Sequence, residues 1–276
     1  TTTDVSTSTG LAVYNRDIEI LTGNPVKIAT STVAFPRKFK ISGNYLYSGH
    51  YSSGLTIVDI SDPYNFVEIG SAYDGSGLSS GLDIVGNYAY VGDYTDGLEI
   101  IDISDPTNPF EVGGYSARTI DHVTVIGRYA YAVGDSSFGI SVIDISDPTN
   151  PVEVGSSSGG VGGNGITVVG NYAYVSRDFA GTEILDVSDP TNPVSLVTYE
   201  DSGSSGYSKD IKIRGNFMYV ADGDDGLEII DISDKTNPSV IGEFDEGAAS
   251  AEGVDLVGNY AFVAHGDDGV KVIDIS

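Results

Sequence analysis

The sequence predicts an all-β protein, a propeller of six four-stranded antiparallel blades. Three observations predict it. The phrase GLEIIDISDPTNP at 97–109 returns in recognisable form at 54, 139, 181 and 226, and the chain ends on the shortened copy GVKVIDIS. A Gly-Asn or Gly-Arg pair in each repeat sets anchors at Gly43, Gly86, Gly127, Gly170, Gly215 and Gly258, spaced 43, 41, 43, 45 and 43 residues apart. A period in the low forties, built of four short apolar segments, is that of a propeller blade. The last repeat stops after its third segment, and TGNPVKIATS at 22–31 reads like the missing fourth.

Each element follows from its residues, with the second repeat as example. LDIV at 82–85 and YAYVG at 88–92 flank Gly86-Asn87, a pair that tolerates the positive φ of a two-residue hairpin turn. Alternation sends Tyr88 and Tyr90 to one face of the second strand and Ala89 and Val91 to the other. DYTDG at 93–97 turns tightly into LEIIDIS at 98–104, the apolar third strand. DPTNP at 105–109 then stops that strand, with Asp105 and Pro106 suited to the first two positions of a type I turn. FEVGGY at 110–115 is the fourth strand, at the blade's edge. A phrase repeated once per unit builds architecture rather than chemistry, so Asp59, Asp102, Asp144, Asp186, Asp231 and Asp274 are expected to hold backbone N–H groups near the turn.

Strand 25–31 is expected to join the C-terminal blade, so that one blade holds strands from both ends of the chain and the ring closes. Residues 11–21, LAVYNRDIEIL, are left over, and a seventh, incomplete blade stays open as the alternative. The domain reading is a flexible segment at 1–10, small and polar, followed by one propeller domain at 11–276.

Composition narrows the function. Forty acidic residues stand against thirteen Lys and Arg in 276 residues, a formal net charge of −27. Such a surface repels nucleic acid and anionic membranes at long range and leaves cations, basic proteins and neutral glycans as partners. There is no cysteine, which removes disulfides, thiolate metal sites and cysteine nucleophiles. With no charged-then-apolar leader and no run of about eighteen apolar residues, a soluble chain is expected from which any signal peptide has been removed. No Asn-x-Ser/Thr acceptor occurs.

The stretches LTIVD (55–59), LEIID (98–102), ISVID (140–144), TEILD (182–186), LEIID (227–231) and VKVID (270–274) resemble the repeat of the LVIVD family of bacterial and archaeal surface proteins. The resemblance runs from about residue 22 to the C-terminus. It implies a β-propeller on a secreted or envelope-attached protein, beside the other domains of a larger surface protein, and it implies no catalytic residue. Lys235 replaces the turn proline, Tyr64 and Phe66 replace the usual Thr and second Pro, and Gly181-Thr182 disturbs one third strand.

Function is sought where the copies disagree. At the end of the second strand the repeats read His50, Asp93, Gly134, Arg177, Asp222 and His265. At the start of the first strand they read Lys38, Gly81, His122, Gly165, Asp210 and Gly253, preceded by Arg37, Ser80, Asp121, Asn164, Lys209 and Glu252. Both sets belong to the loop face around the central channel, where propellers place binding and catalysis. The leading reading is a non-catalytic binding or adhesion module for a glycan or protein, contacted by His50, Asp93, His122, Arg177, Lys209, Asp210, Asp222 and His265, with Tyr51, Tyr94, Phe138 and Phe179 as apolar platforms. Point changes such as His265→Ala or Arg177→Ala are then expected to leave folding intact.

Two alternatives stand beside it. His50, His265, Asp93 and Asp222 offer metal ligands, and the loops DGDDG (222–226) and GDDG (266–269) offer carboxylates to Ca2+, although they lack the spacing of a helix-loop-helix calcium site. A hydrolase or lactonase in the central cup is the other. Asp121 and His122 are its nearest acid–base pair, but neighbours in a strand point to opposite faces. No cofactor is certain.

Overall fold

The computed structural model describes residues 5–7, 10–12, 36–50, 54–72, 79–134, 139–157, 162–177, 180–199, 207–245, 250–266 and 269–276. They form a six-bladed all-β propeller. Five blades are four-stranded antiparallel sheets whose strands follow chain order, and the sixth has three strands among the described residues. Blade two shows the plan: Ser79–Val85, Tyr88–Asp93, Gly97–Asp102 and Phe110–Tyr115. The first strands of the others are Pro36–Ser42, His122–Ile126, Gly165–Val169, Ser208–Arg214 and Ala251–Val257. Consecutive first strands lie side by side from blade one to blade six and line the axis.

The hairpin between first and second strands turns on the anchor glycines, which have φ between 55° and 62° in all six blades. Alternation along the second strand serves two neighbours at once. Ala89, Val91 and Ile101 of blade two pack with Tyr47, Leu55 and Ile57 of blade one. Tyr90, Leu98 and Ile100 pack instead with Ile120, Val123, Val125 and Ile143 of blade three. The third strand is therefore buried on both faces, which is why LEIID reads as a nearly continuous apolar run. Each fully buried Leu or Ile contributes about 1.5–3 kcal/mol.

The repeated aspartates cap the turn after the third strand. Asp102 Oδ1 accepts the Ser104 N–H at 2.8 Å, and Asp59, Asp144, Asp186, Asp231 and Asp274 do the same two residues on. The next aspartate begins the type I turn: the Asn108 N–H donates to Asp105 O at 3.0 Å, and Thr107 donates both its N–H and its hydroxyl to Asp105 Oδ1.

That turn also locks adjacent blades together. A Cβ added at Gly113, in the fourth strand of blade two, would stand 2.5 Å from the Pro148 carbonyl oxygen in the turn of blade three. Gly70 and Gly155 meet Pro106 and Pro190 in the same way, at 2.2 and 2.3 Å. A register shift beside each of these glycines, such as that between Glu111 and Gly113, brings the fourth strand onto the neighbouring turn.

The blade-six sheet ends at Val270–Asp274, where Val270 and Val272 are half exposed, while the equivalent Leu98 and Ile100 of blade two are fully buried. The strand expected at 25–31 to cover this edge, and most of the left-over segment 11–21, lie outside the described residues. Where a flexible junction is expected at 1–10, Val5–Thr7 pairs antiparallel with Gly10–Ala12.

Candidate functional site

The variable residues at the end of the second strand turn inward. His50, Asp93, Arg177, Asp222 and His265 are all buried, between 0 and 3% exposed. Asp93 Oδ1 accepts the Thr95 N–H at 2.7 Å, the Thr95 hydroxyl at 2.7 Å and the Asp96 N–H at 3.1 Å, closing the turn into the third strand. Asp222 heads the DGDDG turn, where its N–H donates to Gly226 O at 2.8 Å and its carbonyl accepts the Asp225 N–H at 2.9 Å. Arg177 donates Nε–H to Glu183 Oε2 at 2.6 Å and a second bond from its terminal nitrogen to the same oxygen. Loss of Arg177, expected from the sequence to leave folding intact, would leave the buried Glu183 carboxylate without this partner.

The third strand carries polar groups that the repeat hides. Its second position reads Thr56, Glu99, Ser141, Glu183 and Glu228 in blades one to five, and all five are buried, at 0 to 6% exposure. Glu in the middle of an otherwise apolar strand, as in LEIID, is the signal in the sequence.

The first-strand residues behave differently, because they line the channel. Lys38 Nζ stands 3.3 Å from Nδ1 of His122, bringing blades one and three together across the position held in blade two by Gly81. Lys40 pairs with Asp83 at 3.1 Å, and Lys212 pairs with Asp210 at 3.0 Å. Both aspartates also stitch the wall: Asp83 Oδ2 accepts the Val125 N–H at 2.8 Å, and Asp210 Oδ2 accepts the Val254 N–H at 3.2 Å, each from the next blade. Lys38 is open to the channel water yet enclosed by the ring of strands. Burial therefore pulls its ammonium below the ordinary lysine range, against the raising effect of Asp210 and with the lowering effects of Lys212 and Lys40. All of these side chains belong to first strands that line the same axis. Lys209 sits over the Tyr207 ring, 5.1 Å from its centroid, at the same rim.

Of the expected ligand contacts, then, His122, Lys209 and Asp210 are partly exposed at the channel mouth, and the other five are interior. Lys38, at the equivalent position of blade one, belongs with them. Among the platforms, Tyr94 is 39% exposed, and Tyr51, Phe138 and Phe179 lie outside the described residues. Among the described residues no three His, Asp or Glu side chains gather to hold a metal ion.

A family model described as the LVIVD repeat matches residues 37–74, 76–117, 117–158, 163–201, 205–246 and 248–276, one match for each blade. The chain belongs to the LVIVD repeat family. No curated protein sequence matches this LVIVD propeller. Among solved structures it is similar to the periplasmic gluconolactonase PpgL of Pseudomonas aeruginosa, with a TM-score of 0.78 and 13% identity over 99% of this chain and 91% of that one. It is also similar to the computationally designed protein Ika8, with a TM-score of 0.66 and 14% identity over 87% of this chain and 71% of that one. Likeness at such low identity concerns the fold.

Proposed function

We propose that this LVIVD propeller is a rigid, non-catalytic binding module of an exported or cell-surface protein, which takes a glycan or protein ligand at the mouth of its central channel. The observation that carries the reading is that Lys38, His122 and Asp210, which differ in charge at one equivalent position, belong to first strands that line one channel, while the variable residues at the ends of the second strands, His50, Asp93, Arg177, Asp222 and His265, are buried. Residues that serve packing alone have no reason to differ in charge at one equivalent position.

The experiment is a glycan and surface-protein binding screen by surface plasmon resonance, with His122→Ala and Asp210→Asn as channel variants. A ligand bound by the native chain and weakened in both variants supports the reading, and a ligand indifferent to both overturns the placement. A second reading, lactone hydrolysis in the channel, is favoured by the fold likeness to the gluconolactonase. Release of acid from a δ-lactone above the buffer rate, lost in His122→Ala, would establish it over the first.

A further inference from the structure

We propose that the channel mouth is a subsite for a monovalent organic carboxylate, held between Lys38 and His122 and oriented against Asp210. This rests on the binding reading and names the group recognised. The first support is where the cations are. In a chain with a net charge of −27 and only thirteen Lys and Arg, six of them, Arg37, Lys38, Lys40, Lys209, Lys212 and Arg214, belong to the first strands of blades one and five. Cations kept for solubility would be spread over the surface, whereas these lie on strands that line the axis.

The second support is how they are partnered. Lys40 and Lys212 are neutralised by Asp83 and Asp210, and those carboxylates are fixed in turn by the N–H groups of Val125 and Val254. Among the described residues Lys38 has no carboxylate within ion-pair distance, and its ammonium faces the imidazole of His122 instead. The Lys38 ammonium donates one N–H to Nδ1 of His122, as the Nε2–H tautomer, and keeps two more for the oxygens of a carboxylate in the channel.

The third support is the set of carboxylates around the pair. Asp83, Asp210 and Asp255 belong to first strands of the same wall, so a phosphate dianion would meet them with its second charge. An arriving carboxylate also relieves the cost of holding the Lys38 ammonium inside the ring, so binding strengthens where the site is strained.

The same carboxylate could be carried by a free sugar acid or by an acidic sugar at the end of a glycan. The test is isothermal titration calorimetry at fixed ionic strength with gluconate, glucuronate, a glucuronate-ended disaccharide, glucose and inorganic phosphate, on the native chain, Lys38→Met and His122→Gln. Saturable binding of a carboxylate but not of glucose or phosphate, weakened at least tenfold in Lys38→Met and in His122→Gln, is expected. Preference for gluconate identifies a free acid, and preference for the disaccharide identifies a glycan end. No saturable carboxylate binding to the native chain, or equal binding in both variants, overturns the proposal. Glucose bound as tightly as glucuronate, with loss in the channel variants, overturns it while leaving the binding module intact. Should Lys38→Met melt well below the native chain, His122→Gln decides alone.

Discussion

Arg177 and Glu183 form an ion pair inside blade four, with Nε to Oε2 at 2.6 Å and the two residues 2% and 6% exposed. They lie at the two sides of the loop between second and third strands, so the pair ties the variable loop to the repeated strand. Truncating Arg177→Ala leaves the Glu183 carboxylate buried alone and is expected to cost about 3–5 kcal/mol, or roughly 6–20 °C in Tm. Replacing both with apolar residues of similar volume, Arg177→Met with Glu183→Leu, is expected to recover most of that loss. Thermal melts of the two variants check it, and a single variant as stable as the native chain would show that the pair contributes nothing.

The carboxylates that cap the third strand bind protons less readily in the folded chain than free aspartates do. Hydrogen bonds from Ser104 lower Asp102, and Arg128 with Ser146 lowers Asp144 to about 2. Because the folded values are depressed, this stabilisation is complete above the ordinary carboxylate range and is lost as pH falls from about 4 towards 2. Asp59, Asp186 and Asp231 are lowered in the same way, so the losses coincide in one acid transition. Asp102→Asn keeps the accepting oxygen and removes the titration. Its melting temperature is expected to fall less between pH 5 and pH 3 than that of the native chain, by differential scanning calorimetry.

The contact between fourth-strand glycine and the neighbouring turn predicts a directional effect. Gly113→Ala is expected to destabilise, by about 1–3 kcal/mol, because its methyl would press on the Pro148 carbonyl 2.5 Å away. Gly242→Ala, at the equivalent place in blade five, meets only Ile229 at 3.8 Å and is expected to be nearly neutral. Urea midpoints of the two variants compare them directly, and equal losses would remove the turn contact as the cause.

Much of the fold was legible because it is written once per blade. The anchor glycines, the two faces of Tyr88-Ala89-Tyr90-Val91 and the turn-capping aspartates are local consequences of sequence, and the repeat states each of them several times. What joins one blade to the next is not local. Gly113 facing Pro148 could not be read from either residue, although one hint was present: Val197 replaces the glycine in blade four, and Lys235 replaces the opposing proline in blade five. The site was half legible for the same reason. Equivalent positions identified the loop face, but alignment cannot say that Arg177 turns inward to Glu183 while Lys38 reaches past blade two to His122.

The hairpin glycines have open space around them, so backbone conformation alone decides what they tolerate. A Cβ at Gly86 would touch nothing within 4 Å, but φ is +61°. Gly86→Val is expected to lose about 2 kcal/mol or more, since a β-branched residue is forced into the left-handed region. Gly86→Asn, which visits that region more readily, is expected to lose less than half as much. Equal melting temperatures for the two would mean that φ does not govern what the turn tolerates.

The edge of blade six gives the last prediction. Val270 and Val272, 50% and 51% exposed, carry the third-strand pattern that every other blade buries. An apolar strand at a sheet edge, as this one is among the described residues, recruits a partner. The sequence nominates residues 25–31, whose alternating Val26 and Ile28 suit the face of such an edge. Removing residues 1–31 is then expected to lower Tm by several degrees and to shift the protein towards dimers through the freed edge, as read by size-exclusion chromatography with light scattering. Val272→Lys in the full chain separates the two ways this can come about. It lowers Tm if residues 25–31 cover the strand, because a charge would be buried beneath them, and leaves Tm unchanged if the edge faces water, in which case the terminal segment contributes to stability elsewhere.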